Sequence, residues 1–197
     1  MKIPKLIAIC GRPHAGKTTV QNILAGLYGV QPVDDGMALR RFCVQNLDME
    51  WDDVLTDEGK DGFVEILGKR WNRRKLLGEY GNTLEAMFGD HIMPFMATRN
   101  LDPDLSYSFA SVRKNQGAFF KRLGGVVIGV ENHGVQPSPH KFDSFDASLV
   151  DVWVDNSFAD KGLDADQSMD RLADEIAKTL RAITLINHPI DFVEMMI

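Results

Sequence analysis

The chain has 197 residues, 44% hydrophobic and 25% charged, which suits one globular domain with a sizeable core and leaves too little for two full domains. Its net charge of −6 and pI near 5.3 argue against a general nucleic-acid coat or an anionic-membrane binder, since either ordinarily presents a net basic surface. Two cysteines, Cys10 and Cys43, make no disulfide framework, no apolar run is long enough to span a bilayer, and Met1-Lys2-Ile3-Pro4 leads straight into an apolar run, so a soluble, reduced, cytoplasmic protein is expected.

That first apolar run, Leu6-Ile7-Ala8-Ile9-Cys10, reads as a buried strand. Directly after it comes Gly11-Arg12-Pro13-His14-Ala15-Gly16-Lys17-Thr18, a complete G-x-x-x-x-G-K-[ST] pattern, followed by Thr19 and a helix with Val20, Ile23, Leu24 and Leu27 at helical spacing. Glycines at both ends let the backbone curl so that successive N–H groups and the helix N-terminus face phosphate oxygens, where the helix dipole also favours negative charge. Lys17 is expected to reach the β- and γ-phosphates, and the Thr18 hydroxyl is the expected Mg²⁺ ligand. The pattern therefore predicts a nucleoside triphosphate, ATP with Mg²⁺, held by residues 11–19. His14 sits among tolerant positions and reads as scaffold.

Gly29 is the expected C-cap of that helix, residues 30–33 a second strand, and 37–47 a second helix. The acidic stretch 48–61 reads as a solvated connector or lid edge. Two or three helices are expected within 62–95, one starting at Asn82, where Asn82-x-x-Glu85 resembles a capping box. A strand is expected at 105–112, a helix at 115–123 closing on Gly124-Gly125, strands at 126–130 and 150–154, and a long amphipathic helix at 166–184. The tail 186–197 is apolar and suits packing on the core or contact with a second copy of the chain. Strand and helix in alternation imply an α/β fold with a parallel sheet.

Ligands of such a sheet gather at the carboxyl ends of its strands, which puts the phosphate loop, Asp34-Asp35, Arg113-Lys114, Glu131-Asn132-His133 and Asp155-Asn156 at one edge. Asp35 is the leading carboxylate, able to hold Mg²⁺ through water, bind an acceptor or take a proton. Arg113 can clamp phosphate, because a guanidinium offers two parallel donors to an oxyanion. Residues 69–75 form the most basic window of an acidic chain. They suit a substrate phosphate or a closing lid, or a nucleic-acid contact with Trp71 as a stacking platform, and the net charge favours the first. The strand at 107–112 has no Asp of the kind that holds the metal's hydration shell in P-loop ATPases, which turns the reading toward small-molecule kinases. His91, His133, His140 and His188 have no metal-ligand spacing with the cysteines.

The arrangement resembles the P-loop nucleoside monophosphate kinases, in particular the phage-type deoxynucleoside monophosphate kinases. The resemblance is carried by Ile9-Cys10-Gly11 through Lys17-Thr18, by Arg74-Lys75-Leu76-Leu77-Gly78-Glu79-Tyr80-Gly81-Asn82, by Gly89-Asp90, by Ser111-Val112-Arg113 and by Leu123-Gly124-Gly125-Val126-Val127-Ile128. It implies one three-layer P-loop NTPase fold, with a five-stranded, mostly parallel sheet and a helical NMP-binding or lid insertion near 37–100. It also implies transfer of the ATP γ-phosphate to a nucleoside or deoxynucleoside monophosphate. Lys17, Arg113 and Asp35 would be catalytic, and Asp35, Arg74, Asn82, Glu85 and Asp90 would hold the acceptor. Gly78, Asn82, Ala86, Ile92 and Ser111 depart from that family's pattern, so the donor side matches and the acceptor side is altered. Two alternatives stay open: a P-loop kinase of a non-nucleotide small molecule, and a nucleotide-binding regulatory or nucleic-acid-associated protein without turnover.

Overall fold

The computed structural model describes residues 3–136, 144–158 and 162–186. By internal contacts the chain divides into two units, one built from residues 1–34 and 99–197 and the other from Asp35–Thr98.

The first unit is organised around β1 (Leu6–Gly11), six residues that are all buried. A strand covered on both faces reads as a continuous apolar run, which is what this segment is. It lies at the centre of a five-stranded sheet with β5 (Tyr107–Phe109) and then β2 (Gln31–Val33) on one side, and β6 (Val126–Glu131) and then β7 (Val152–Asp155) on the other. Every pairing is parallel. The helices α1 (Lys17–Tyr28) and α8 (Ala165–Ile186) share one core with Ile7, Ile9, Val126, Ile128 and Val130, to which they add Val20, Leu24, Leu172, Ile176 and Leu180. On the opposite face α7 (Gly117–Arg122) brings Phe120 to 4.7 Å from Phe109, ring to ring, and packs Gly117 near Val127. Three layers result, and each fully buried Leu, Ile or Phe stabilises them by about 1.5–3 kcal/mol. Gly29 ends α1 with φ 67°, its N–H bonding the Ala25 carbonyl while that of Val30 reaches Leu24, so the expected cap is present.

The expected strand at 105–112 is shorter in the structure, only Tyr107–Phe109. Its pairing to β1 ends at Ala8 and its other partner, β2, has three residues, so no ladder remains for residues 110–112. The expected tail lies outside the described residues from 187 onward, as do His140 and His188. Among the described residues no helix is long and apolar enough to cross a membrane.

The second unit holds α2 (Met37–Asn46), α3 (Trp51–Leu55), α4 (Asp57–Asp61), a hairpin of β3 (Phe63–Ile66) and β4 (Lys69–Asn72), α5 (Arg73–Phe88) and α6 (Ile92–Thr98). A small core of Cys43, Met49 and Val54 is completed by Val64, Leu76 and Leu77. The acidic stretch, expected as a connector, folds into α3 and α4 because its carboxylates have local work. Glu50 and Asp53 make a reciprocal capping box at α3, and Asp53 then pairs with Arg73 at 2.7 Å. Within 62–95, where two or three helices were expected, residues 63–72 instead form the antiparallel hairpin, turning through Leu67 and Gly68 at φ 52° and 74°. No helix begins at Asn82. That residue lies inside α5, which starts at Arg73, where the Asn72 side chain caps the Lys75 N–H at 3.0 Å.

Candidate functional site

The glycine-bounded loop runs from the buried end of β1 to the first turn of α1. Gly11 and Gly16 have φ of 147° and 97°, and each is closely approached: a Cβ on Gly11 would stand 2.5 Å from the Val130 carbonyl oxygen, and one on Gly16 2.2 Å from Asn156 Nδ2. His14 also takes positive φ, 62°, and the Ala15 N–H turns back to the Arg12 carbonyl at 3.1 Å. The backbone is thus curled, as the glycine positions predicted. No side chain caps α1, and its first turn has no acidic residue, so the positive end of the helix dipole is not countered locally. Lys17 Nζ bridges the loop, donating to the carbonyls of Gly11 at 3.0 Å and Arg12 at 2.7 Å.

Two side chains tie the loop down. Arg12 donates to the Val135 carbonyl at 3.0 Å. Asn156 Nδ2 donates to the Ala15 carbonyl at 2.9 Å, and its own N–H is held by the Glu131 carbonyl at 2.8 Å, so the turn after β7 clamps the turn after β1. Sequence reading put Asn156 at the correct edge of the sheet without a role; a contact across 141 positions leaves no local signal. Beneath the loop, burial pushes the Cys10 thiol up to about 12, against a smaller downward pull from Lys17, so it is a neutral core group and no nucleophile.

Arg113 is exposed and lies beyond β5, on the strand-end edge that also carries the loop, with its N–H on the buried Gln116 side chain at 3.0 Å. Ser108 in β5 is fully buried, and its carbonyl accepts from Gln21 Nε2 at 2.8 Å, so that strand supplies core and no carboxylate. Thr18 is exposed in the first turn of α1. Among the described residues no cluster of three His, Cys, Asp or Glu is placed to hold a metal. The Thr18 hydroxyl is an oxygen donor of the kind Mg²⁺ takes alongside waters and substrate phosphate oxygens.

The remaining predicted residues belong to the second unit. Asp35 is buried at its start, just before α2. Asn82 and Glu85 lie with Arg74 on one side of α5, within an arc of about 80° at 3.6 residues per turn. Asp90 stands in the turn before α6. Arg74, expected to meet the acceptor, is engaged already: Nε donates to Asp61 at 2.7 Å and Nη2 lies 3.3 Å from Asp57. Those hydrogen bonds raise the Arg74 pKa, that to Asp61 most, and the bond from Arg74 is the main cause holding the Asp57 carboxyl low. The basic window is divided between β4 and the start of α5.

No protein-family model matches the chain, and no curated protein matches it in sequence. Similar solved structures include a protein from Chloroflexus aurantiacus J-10-fl, 16% identical with a TM-score of 0.46 and covering 92% of this chain and 98% of its own. A gluconokinase from Sinorhizobium meliloti 1021 is 13% identical with a TM-score of 0.41, covering 95% of this chain and 100% of its own. TT1252 from Thermus thermophilus is 17% identical with a TM-score of 0.43, again covering 95% and 100%. No substrate follows from likenesses this distant.

Proposed function

We propose that the chain is an ATP-dependent phosphotransferase acting on a nucleoside or deoxynucleoside monophosphate, of the kind the phage-type kinases represent. The observation that carries the reading is the loop itself: a G-x-x-x-x-G-K-T turn between the central strand and an uncapped helix N-terminus, clamped from β7 by Asn156. Such a turn presents backbone N–H groups at fixed positions, and phosphoryl transfer asks a protein chiefly for positioning and for positive charge on the transferring group. The amides of residues 11–19 would hold the triphosphate, Lys17 would stabilise charge developing on the transferred phosphoryl, and Arg113 would clamp it from the neighbouring strand end. Thr18 would hold Mg²⁺, which when bound neutralises charge shared by the β- and γ-phosphates. Asp35, Asn82, Glu85 and Asp90 would orient the acceptor. Arg74 joins them only by exchanging Asp61 and Asp57 for the acceptor's phosphate. A phosphate acceptor needs no general base, so Asp35→Asn retains activity far better than Arg74→Ala; a hydroxyl acceptor on a non-nucleotide reverses that order. The test is ADP release from ATP·Mg²⁺ across a panel of ribo- and deoxyribonucleoside monophosphates. Acceptor-dependent release with at least one of them is expected, and silence across the panel alongside tight ATP binding overturns the reading.

A further inference from the structure

A cavity of about 400 Å³ lies entirely within the second unit, lined by Lys69, Arg70, Trp71 and Asn72 of β4 and by Lys75 and Glu79 of α5. Its volume is that of a site for a small ligand. β4 pairs only with β3, so its other edge is open, and Lys75 and Glu79 stand one helical turn apart. Asn72 fixes the corner between strand and helix: its side chain caps Lys75 N–H and donates to the carbonyls of Asp61 at 3.1 Å and Gly62 at 3.3 Å.

The cavity carries a net positive charge, Lys69, Arg70 and Lys75 against the single carboxylate of Glu79. Three acidic residues of α3 and α4 are engaged by other cations, Asp53 by Arg73 and Asp57 and Asp61 by Arg74, with Lys60 also on Asp57. Among the described residues Lys69, Arg70 and Lys75 make no ion pair. Lys69 Nζ lies 4.3 Å from the Trp71 ring centroid and Arg70 Cζ 4.1 Å from that of Phe63. Glu65 is opposite Arg70 in the register, yet the guanidinium rests on the ring. Cations parked on exposed aromatic faces are readily exchanged for charge-assisted hydrogen bonds to a phosphate. The half-buried indole of Trp71 offers a planar wall, and the Glu79 carboxylate offers an acceptor suited to a sugar hydroxyl or a ring N–H.

We infer that this cavity is a mononucleotide-binding site separate from the phosphate loop, with Lys69, Arg70 and Lys75 taking the phosphate and Trp71 the base. The inference concerns binding and stands whether or not the chain transfers phosphate. A cavity of about 400 Å³ with one aromatic wall, in a chain of net charge −6, favours a single nucleotide over a polymer.

Lys17→Ala provides the background for the test, since it disables the loop and leaves the second unit untouched. Binding of nucleoside monophosphates, inorganic phosphate and a single-stranded oligothymidylate to that variant is followed by titration calorimetry and tryptophan fluorescence. Saturable binding of a monophosphate is expected, tighter than that of inorganic phosphate. Lys69→Ala with Lys75→Ala, both exposed positions, should weaken it at least about tenfold, with an unchanged circular dichroism spectrum. Trp71→Phe should remove the fluorescence response. No saturable binding at millimolar nucleotide, or binding indifferent to the two lysines, overturns the inference. Far tighter, steeply salt-dependent binding of the oligonucleotide overturns it in favour of a nucleic-acid surface.

Discussion

Replacing Gly16 and Asn156 singly and together separates the clamp from the loop it holds. In Gly16→Ala the new Cβ would stand 2.2 Å from Asn156 Nδ2, and the residue keeps φ 97°, where an L side chain is strained by about 1–2 kcal/mol. The backbone at residue 16 belongs to the loop, so the side chain of Asn156 is what moves, giving up its 2.9 Å bond to the Ala15 carbonyl. Losing that bond costs about 1–3 kcal/mol, because the partly buried carbonyl is left without its donor. Gly16→Ala should therefore cost about 2–5 kcal/mol in total and Asn156→Ala about 1–3. The double variant should cost little more than Gly16→Ala alone, since both single changes break the same bond, which leaves a coupling of about 1–3 kcal/mol. Urea unfolding gives the three values, and ATP·Mg²⁺ titration gives the same cycle in affinity, where each 1.4 kcal/mol is about tenfold. Costs that add to within about 0.5 kcal/mol would show that Asn156 does not bear on the loop, and the clamp would be refuted.

Cys10 should resist a soluble alkylating reagent at pH 8 until the protein unfolds, as mass spectrometry of labelled peptides would show; rapid labelling of the native chain would contradict its burial at 2% exposure. Its raised pKa also sets a sign for pH. The folded chain keeps the proton that the unfolded chain loses, so stability is fully present below the unfolded value of 9.0 and falls as pH rises toward about 12. Cys10→Ala should flatten that alkaline decline, by up to ~4 kcal/mol across the window at 1.36 kcal/mol per unit. In the second unit, Arg73→Ala should destabilise by about 3 kcal/mol, because it strands the half-buried Asp53 that Arg73 meets at 2.7 Å and removes a donor to the Gly59 carbonyl. Limited proteolysis within residues 35–98 reads this directly, and wild-type resistance would argue against it. Gly59→Ala should disrupt the same unit, since its Cβ would stand 2.0 Å from the Asp52 carbonyl oxygen, a backbone atom that cannot swing aside. Native expression and melting of that variant would show that α3 and α4 accommodate it.

The sheet and the curled turn after β1 were legible because each rests on a local and redundant pattern. A fully apolar strand, two glycines at fixed spacing and a helix with an apolar stripe all point the same way, and the loop's backbone is curled at Gly11, His14 and Gly16 accordingly. The hairpin was not legible, since strands of four residues give too few alternations to distinguish them from helix. The usual hairpin signal is also missing: Leu67-Gly68 fills a turn with two positive φ values, where Asn-Gly or Asp-Gly would have announced it. The start of α5 was misread for a related reason. Both Asn72 and Asn82 precede helix-like sequence, and the second has the capping-box glutamate, while Gly78 and Gly81 suggest an interruption. Tertiary packing decided otherwise, because Leu76 and Leu77 are needed against Cys43, Met49 and Val54, and only a helix starting at Asn72 presents them. That same shift places Lys75 beside β4 and makes the basic cavity. The role of Arg74 could not be read either, because its partners Asp57 and Asp61 come from a stretch whose fold the sequence left open.

The central claim is tested most directly by incubating the chain with γ-labelled ATP, Mg²⁺ and one nucleoside monophosphate at a time, and looking for label in the nucleoside diphosphate formed. The account predicts labelled diphosphate from at least one acceptor with the wild-type chain and loss of transfer by several orders of magnitude in Lys17→Ala. Label that stays on ATP or appears only as free phosphate with every acceptor, while ATP binds at the loop, would contradict it.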